Sequence, residues 1–171
     1  MLKIRLLNGQ DALFYRDLRL KALQTDPKSF LSTYQAEKNN LDSFFARELD
    51  LAIFPPVFAY WGVFENKQLI AYVQLAKSYL AKQAHLAFIY NLYLDPAFRK
   101  QGIASRLLKE VLAKLRTETK VERVFLSCNA NNHNALQFYK KFAFKTCGVK
   151  EKSIKWQGEY DDQVEMVLEL V

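Results

Sequence analysis

Residues of a type and spacing that could bind an anion gather at Arg99–Lys100–Gln101–Gly102–Ile103–Ala104, directly after Tyr90–Asn91–Leu92–Tyr93–Leu94–Asp95–Pro96. This stretch reads as a strand, a short turn and a glycine-containing loop that opens a helix. The first turn of such a helix presents unpaired backbone N–H groups and the positive end of the helix dipole. Together they suit a phosphate or pyrophosphate, with basic Arg99 and Lys100 alongside. Other chemistry is thinner. Cys128 and Cys147 make no disulfide framework and lack metal-ligand spacing, so both read as reduced thiols in or near the core, and no metal is expected. Tyr34 and Glu37 could face a ligand, or could be an aromatic packed on its neighbour and a solvated carboxylate.

The elements that must position these groups fit one core. A chain of 171 residues, 50% hydrophobic, is long enough for one substantial domain, taken as residues 1–171. The balance of 25 basic against 18 acidic residues gives +7. That charge is compatible with an anionic ligand, nucleic acid, a membrane surface or simple solubility. Lys3 and Arg5 interrupt the apolar start, so no signal-peptide pattern is present and a cytoplasmic location is expected. The apolar run Leu51–Phe64 is too short for a bilayer and holds Pro55–Pro56, which reads as a turn leading into a buried strand. No repeat, low-complexity segment or linker interrupts the chain.

In chain order, Lys3–Leu7 reads as a strand, and Asn8 to Asp11 supply turn and cap residues for a helix from Asp11 to Gln24. Phe14 with Leu18, and Leu20 with Leu23, give its spacing. Asp26–Pro27 stops it, and Ser29–Glu37 and Leu41–Leu51 read as helical pieces joined by Lys38–Asn39–Asn40. Val57–Phe64 and Gln68–Ala76 form a hairpin about Glu65–Asn66–Lys67. A long strand spans Ala84 to Leu94, with Leu86–Ile89 apolar enough for cover on both faces, and Asp95–Pro96 ends it. The helix after Gly102 carries Ile103, Leu107, Leu108, Val111, Leu112 and Leu115 on one stripe. Val121–Cys128 then completes a strand–helix–strand crossover, whose strands should be parallel neighbours. Asn131 to Lys141 is a short helix, and Phe144–Val149 and Gln163–Leu170 close the fold as strands. The last of these alternates buried Val164, Met166, Leu168 and Leu170 with Glu165 and Glu169.

Two blocks now carry a resemblance. Arg99, Gly102 and Ala104 match an (Arg/Gln)-x-x-Gly-x-(Gly/Ala) pattern, and Asn132, Ala135 and Tyr139, in N-H-N-A-L-Q-F-Y, match Asn-x-x-Ala-x-x-x-Tyr. In this order, with a strand before, a helix between and a crossover strand, the chain resembles the GNAT superfamily of acyl-CoA-dependent N-acyltransferases. The resemblance implies an α/β fold, α+β by some schemes, with a mixed, mostly antiparallel central sheet flanked by helices. It also implies a parallel, splayed strand pair at the coenzyme site.

What the resemblance implies for function can be placed on individual residues. Exposed backbone groups of Leu92, Tyr93 and Leu94 would pair with the pantetheine amides of acetyl-CoA. N–H groups of Gln101, Gly102, Ile103, Ala104 and Ser105 would hold the pyrophosphate, Gly102 allowing close approach and Arg99 and Lys100 adding charge. Asn132 would hydrogen-bond the coenzyme, and Tyr139, a phenol protonated at neutral pH, would be the general acid for the departing thiolate. The implied reaction is direct attack of a neutral primary amine on the acetyl group in a ternary complex. Many members carry a glutamate on the strand before the loop; Phe88–Ile89–Tyr90–Asn91 has none. The base is then an ordered water or a carboxylate from elsewhere, with Glu37, Asp162 and Glu165 as candidates. A Cys128–His133 nucleophile pair lacks support, since nothing in the sequence places a base beside the thiol. Ala143 stands where the family usually has glycine before Phe144.

The acceptor would meet Tyr34, Tyr90, Trp156, Tyr160 and Asp161–Asp162, which serve equally as packing and turn residues. A small amine, an amino acid, a peptide N-terminus or a lysine are all open as acceptors. Neither nucleic acid nor membrane is expected as a partner, and oligomeric state stays open, a homodimer included. Two rival classes are a non-catalytic coenzyme-A sensor, which would keep the loop without the chemistry, and a nucleic-acid-binding module. The second lacks any recognisable nucleic-acid motif, and its basic residues are spread along the chain.

Overall fold

The computed structural model describes residues 1–51, 58–118 and 120–170. The expected Pro55–Pro56 turn lies outside the described residues. Among them, seven strands form one sheet: β1 (Leu2–Leu6), β2 (Phe58–Glu65), β3 (Gln68–Lys77), β4 (Leu86–Leu94), β5 (Arg123–Asn129), β6 (Lys145–Trp156) and β7 (Glu159–Glu169). Their spatial order is β1-β2-β3-β4-β5-β7-β6, antiparallel throughout except for the parallel pair β4–β5. The helices are α1 (Ala12–Thr25), α2 (Tyr34–Glu37), α3 (Asp42–Leu51), α4 (Ile103–Glu118) and α5 (His133–Lys141). No helix among the described residues is long and apolar enough to cross a membrane.

The sheet is covered on both faces by different helices. Ile103, Leu107, Leu108, Val111, Leu112 and Leu115 of α4 are all buried, packed with Ile70, Val73, Ala87, Ile89, Val124, Leu126 and Met166. At roughly 1.5–3 kcal/mol per buried large aliphatic side chain, this stripe is a main source of cohesion. On the opposite face α1 and α3 cover the β2–β4 side through Tyr15, Leu18, Phe45, Leu49, Tyr60, Tyr72 and Tyr93. The helix α1 turns Ala12, Tyr15, Leu18, Arg19, Ala22 and Leu23 inward. Phe14, expected on that stripe, is instead exposed, with its edge against Phe64 at 6.2 Å.

Several turns follow from local chemistry. Asn8 caps the turn before α1 by accepting from the Gln10 N–H at 2.9 Å, while the Asp11 carboxylate returns to the Asn8 N–H at 3.1 Å. Asn66 and Lys67 both take positive φ, 47° and 71°, the two-residue geometry that matches hairpin twist. Ala143 sits at φ 65°, a left-handed position that strains an alanine by about 1–2 kcal/mol and explains why glycine is usual there.

The closing strands differ from the sequence reading. The β6–β7 hairpin runs far beyond Val149 and begins well before Gln163, because Lys150 to Lys155 are mostly polar and solvated. Within it Lys150 pairs with Gln163 and Ile154 with Asp161, so β6 carries extra residues about Lys152, whose N–H donates to Asp162 Oδ1 at 2.7 Å. Cover of β4 is also one-sided near its start. Ala87 and Ile89 are buried under α4, whereas Phe88 stacks between Tyr90 and Phe125 on the other face, where Tyr90 is 43% exposed.

Candidate functional site

The site is created by two departures from regular pairing in β4. Parallel pairing to β5 runs from Leu86↔Arg123 to Ile89↔Leu126 and stops, although β4 continues to Leu94 and β5 to Asn129. The strands therefore splay, leaving the β5-facing backbone of Leu92 and Tyr93 without a strand partner. In the same segment Gln74↔Tyr90 is followed by Tyr72↔Tyr93, so Val73 faces both Asn91 and Leu92. This β-bulge puts Asn91 at φ 52° and turns its side chain toward Gln74 Oε1, to which Nδ2 donates at 2.7 Å.

Past Leu94 the chain makes the expected loop. Buried Asp95 caps the turn by accepting from the Ala97 N–H at 3.0 Å and takes an ion pair from Lys21 at 2.6 Å. Lys100 and Gly102 both have positive φ, 63° and 74°, and the first α4 hydrogen bond runs from Arg106 N–H to the Gly102 carbonyl at 3.0 Å. The N–H groups of Gln101 to Ser105 take no partner among the described residues. A Cβ built on Gly102 would meet nothing within 4 Å, so the glycine answers to backbone conformation and to approach from outside, not to internal crowding. Beside this turn, a groove of about 300 Å³ between α4 and α5 is lined by Ser105, Lys109, Leu112, Arg116, Lys141 and Phe142.

Arg99 is directed elsewhere than the sequence implied. Its guanidinium donates to the Leu94 carbonyl at 3.1 Å and to Asp26 at 2.6 Å, and lies over the Tyr93 ring at 5.8 Å. It ties the end of α1 to the end of β4 and occupies the Leu94 oxygen. Asn132 caps α5, accepting from the Ala135 N–H at 3.1 Å, and its amide reaches Ser29 Oγ at 3.2 Å.

Tyr139 lies on α5 against Phe138 and Phe144, 9% exposed, and its hydroxyl takes no hydrogen bond among the described residues. Burial, with a smaller push from neighbouring Cys128, holds the phenol well above its ordinary value, so it is a neutral O–H at any physiological pH. Burial likewise pushes the Cys128 thiol up to about 11. That thiol is protonated, and His133 is exposed on the surface of α5, which removes the Cys–His nucleophile from consideration.

Across the sheet, sequence reasoning missed a buried polar cluster. Arg19 of α1 donates through Nε and a terminal nitrogen to both oxygens of Glu37, at 3.0 and 2.8 Å, with side chains only 8% and 14% exposed. The same guanidinium approaches the Tyr72 hydroxyl and Asn91 Oδ1, each at 3.5 Å, and faces Phe30 at 5.2 Å. Burial raises the Glu37 carboxyl, but hydrogen bonds from Arg19 and Ser32 outweigh it and leave the group below its ordinary range. The partners are 18 residues apart on separate helices, so no local pattern signals the pair.

The remaining carboxylates divide clearly. Asp161, buried, accepts from Asn129 at 3.0 Å and Asn131 at 2.6 Å and so fastens the loop after β5. Asp162 is used inside the hairpin, as above. Glu165 of β7 stands opposite Ser127 of β5 and accepts from its hydroxyl, with Lys150 at 3.0 Å. Tyr34 opens α2, half-buried against the α1-side core. Tyr160 lies under Lys155 at 5.0 Å in the outer hairpin, where Trp156 faces Glu159. No group of three or more His, Cys, Asp or Glu side chains among the described residues could hold a metal ion.

Comparison with known proteins gives a consistent picture. Residues 20–144 match the model of the acetyltransferase (GNAT) family. The chain is 28% identical over 81 residues to the L-amino acid N-acetyltransferase AaaT of Escherichia coli (strain K12), covering 47% of this chain and 49% of that one. The match thus spans about half the length of that relative. Among solved structures, an acetyltransferase of the GNAT family from Streptococcus pneumoniae superposes with a TM-score of 0.87 at 17% identity, covering 99% of both chains. The yncA protein of Salmonella typhimurium, solved with its cofactor acetyl-CoA, superposes with a TM-score of 0.85 at 12% identity, covering 100% of this chain and 95% of that one.

Proposed function

The chain belongs to the GNAT acetyltransferase family, and from that premise we infer that it transfers acetyl from acetyl-CoA to a primary amine by direct attack in a ternary complex. The observation that carries this reading is the opened β4–β5 pair leading into unpartnered N–H groups at the start of α4. Pantetheine fits the opening as a surrogate strand, with Leu92 and Tyr93 offering backbone groups; the Leu94 carbonyl contributes less, being held by Arg99. The pyrophosphate belongs on the N–H groups of Gln101, Gly102, Ile103, Ala104 and Ser105, with Lys100 beside them. Lys109, Arg116 and Lys141 in the adjoining groove supply charge for the remaining phosphate of the nucleotide. Asn132 holds the first turn of α5 in place and borders the coenzyme.

Tyr139 is the general acid. Its neutral phenol, unpartnered among the described residues, is suited to protonate the departing thiolate. The acceptor enters from the α1 side, past Tyr34 and Tyr90. Amino acids head the acceptor classes, because the relative from Escherichia coli is named for them; small amines, peptide N-termini and lysine complete the panel. An enzyme that consumes acetyl-CoA is expected to act in the cytoplasm.

The test is thiol release from acetyl-CoA across that panel, comparing wild type with Tyr139→Phe. Wild-type turnover with at least one amine is expected, and loss of the phenol should lower kcat about 10²-fold with coenzyme affinity kept. Acetyl-CoA binding without acetylation of any amine would replace the enzyme with a coenzyme sensor.

A further inference from the structure

We propose that Glu165 is the proton acceptor of the reaction, held by Ser127 at the mouth of the splay, across the sheet from Tyr139. The inference rests on the acetyl-transfer reading above and fills the place left by the missing β4 carboxylate. The strand β5 carries both sides of the argument. Cys128 points to the α4–α5 face, where it neighbours Tyr139, while adjacent Ser127 points to the opposite, open face. Ser127 is the first β5 residue beyond the last pair with β4, Ile89↔Leu126, and in β7 it faces Glu165. An acid and a base so placed flank the opening from opposite faces. The thiolate departs on one side and the amine arrives on the other, so each meets its own proton partner within one ternary complex.

The surroundings of Glu165 fit the role. The groups facing it are Ser127 from β5, Lys150 from β6 and Tyr90 from β4, the last being the first β4 residue past the pairing, whose phenol feels both charges. The contacts of the carboxylate fall on Oε1, so Oε2 takes no partner among the described residues. The side chain is 23% exposed, accessible yet partly shielded. Its rivals are committed: both oxygens of Glu37 are bound by Arg19, both of Asp161 by asparagines, and Asp162 lies beyond the last β5 pair, Asn129↔Gln163.

The step balances as follows. The amine arrives as an ammonium and one proton passes to Glu165 Oε2. The freed lone pair forms the C–N bond at the acetyl carbonyl carbon. The C–S bond then breaks with its electrons going to sulfur, and Tyr139 protonates the thiolate. The nitrogen loses its second proton through solvent to the tyrosinate, and the Glu165 proton leaves to solvent. One ammonium and one acetyl-CoA become one amide, one thiol and one proton.

The test measures Glu165→Gln and Ser127→Ala with the best acceptor, at saturating acetyl-CoA, beside coenzyme binding by calorimetry. Glu165→Gln should lower kcat at neutral pH about 10²-fold, with acceptor KM and coenzyme Kd within about twofold. Its kcat should then climb about tenfold per pH unit where the wild type has levelled off, as free amine replaces the enzyme base. Ser127→Ala, a milder change, should cost several-fold in kcat. Unchanged kcat in both variants, or a loss confined to KM, overturns the proposal while the enzyme reading stands. A wild type that binds acetyl-CoA and acetylates no amine overturns both.

Discussion

Replacing Arg19 by methionine removes the positive half of the buried pair that locks α2 against the β4 bulge. Two short bonds to Glu37, with both side chains nearly out of solvent, put this pair in the class where losing one partner strands a buried charge. The expected cost is about 3–5 kcal/mol. At about 2–4 °C per kcal/mol for a chain of this size, Tm should fall by roughly 6–20 °C. Arg19→Met with Glu37→Leu removes both charges and should recover at least about 2 kcal/mol of that loss. Urea denaturation of the four proteins at neutral pH closes the cycle. Additivity within about 0.5 kcal/mol would refute the coupling. The pH dependence has a definite sign. Burial works against both charges, yet the Glu37 carboxyl is lowered and the Arg19 guanidinium raised, chiefly by the hydrogen bonds between them. A carboxylate lowered on folding contributes stability that is full above its unfolded value and is lost as pH falls through its folded one. The gap between wild type and Glu37→Gln should therefore narrow in acid.

Gly102→Val should reduce acetyl-CoA affinity at least about tenfold by calorimetry, because a branched side chain at φ 74° stands where the pyrophosphate is proposed to meet the backbone. Its stability cost should be only about 1–2 kcal/mol, since no internal atom is nearby. Cys128, buried with its thiol pushed up to about 11, should resist iodoacetamide at pH 8, while exposed Cys147 is alkylated; peptide mass spectrometry distinguishes them.

What sequence could reveal follows the range of the forces involved. The α4 stripe and the hairpin at Asn66–Lys67 are set by residues within a turn or two of each other, and both are legible. The loop that opens α4 is legible for the same reason, since its free N–H groups need only a helix start and a small residue. The Arg19–Glu37 pair is illegible because each half looks like an ordinary surface charge on its own helix. Asn91 lies within an apolar run that reads as regular strand, so nothing local marks the bulge. Arg99 matched the family pattern, but its direction depends on Asp26, far away in the chain. The outer part of β6 was missed because a strand wet on both faces loses the alternation that identifies strands.

The bulge at Asn91 also governs how β4 must be numbered. Before it, even positions such as Phe88 face α1 and odd Ile89 faces α4; after it, odd Tyr93 faces α1 and Leu92 and Leu94 the other side. The extra residue inverts the parity of the strand. Deleting Asn91 would leave Tyr90, Leu92, Tyr93 and Leu94 in plain alternation on their present faces, whereas straightening the bulge at full length would swing Tyr93 to the α4 face and Leu94 to the α1 face. The bulge, by absorbing one residue, is what keeps both ends of β4 in phase with the two cores.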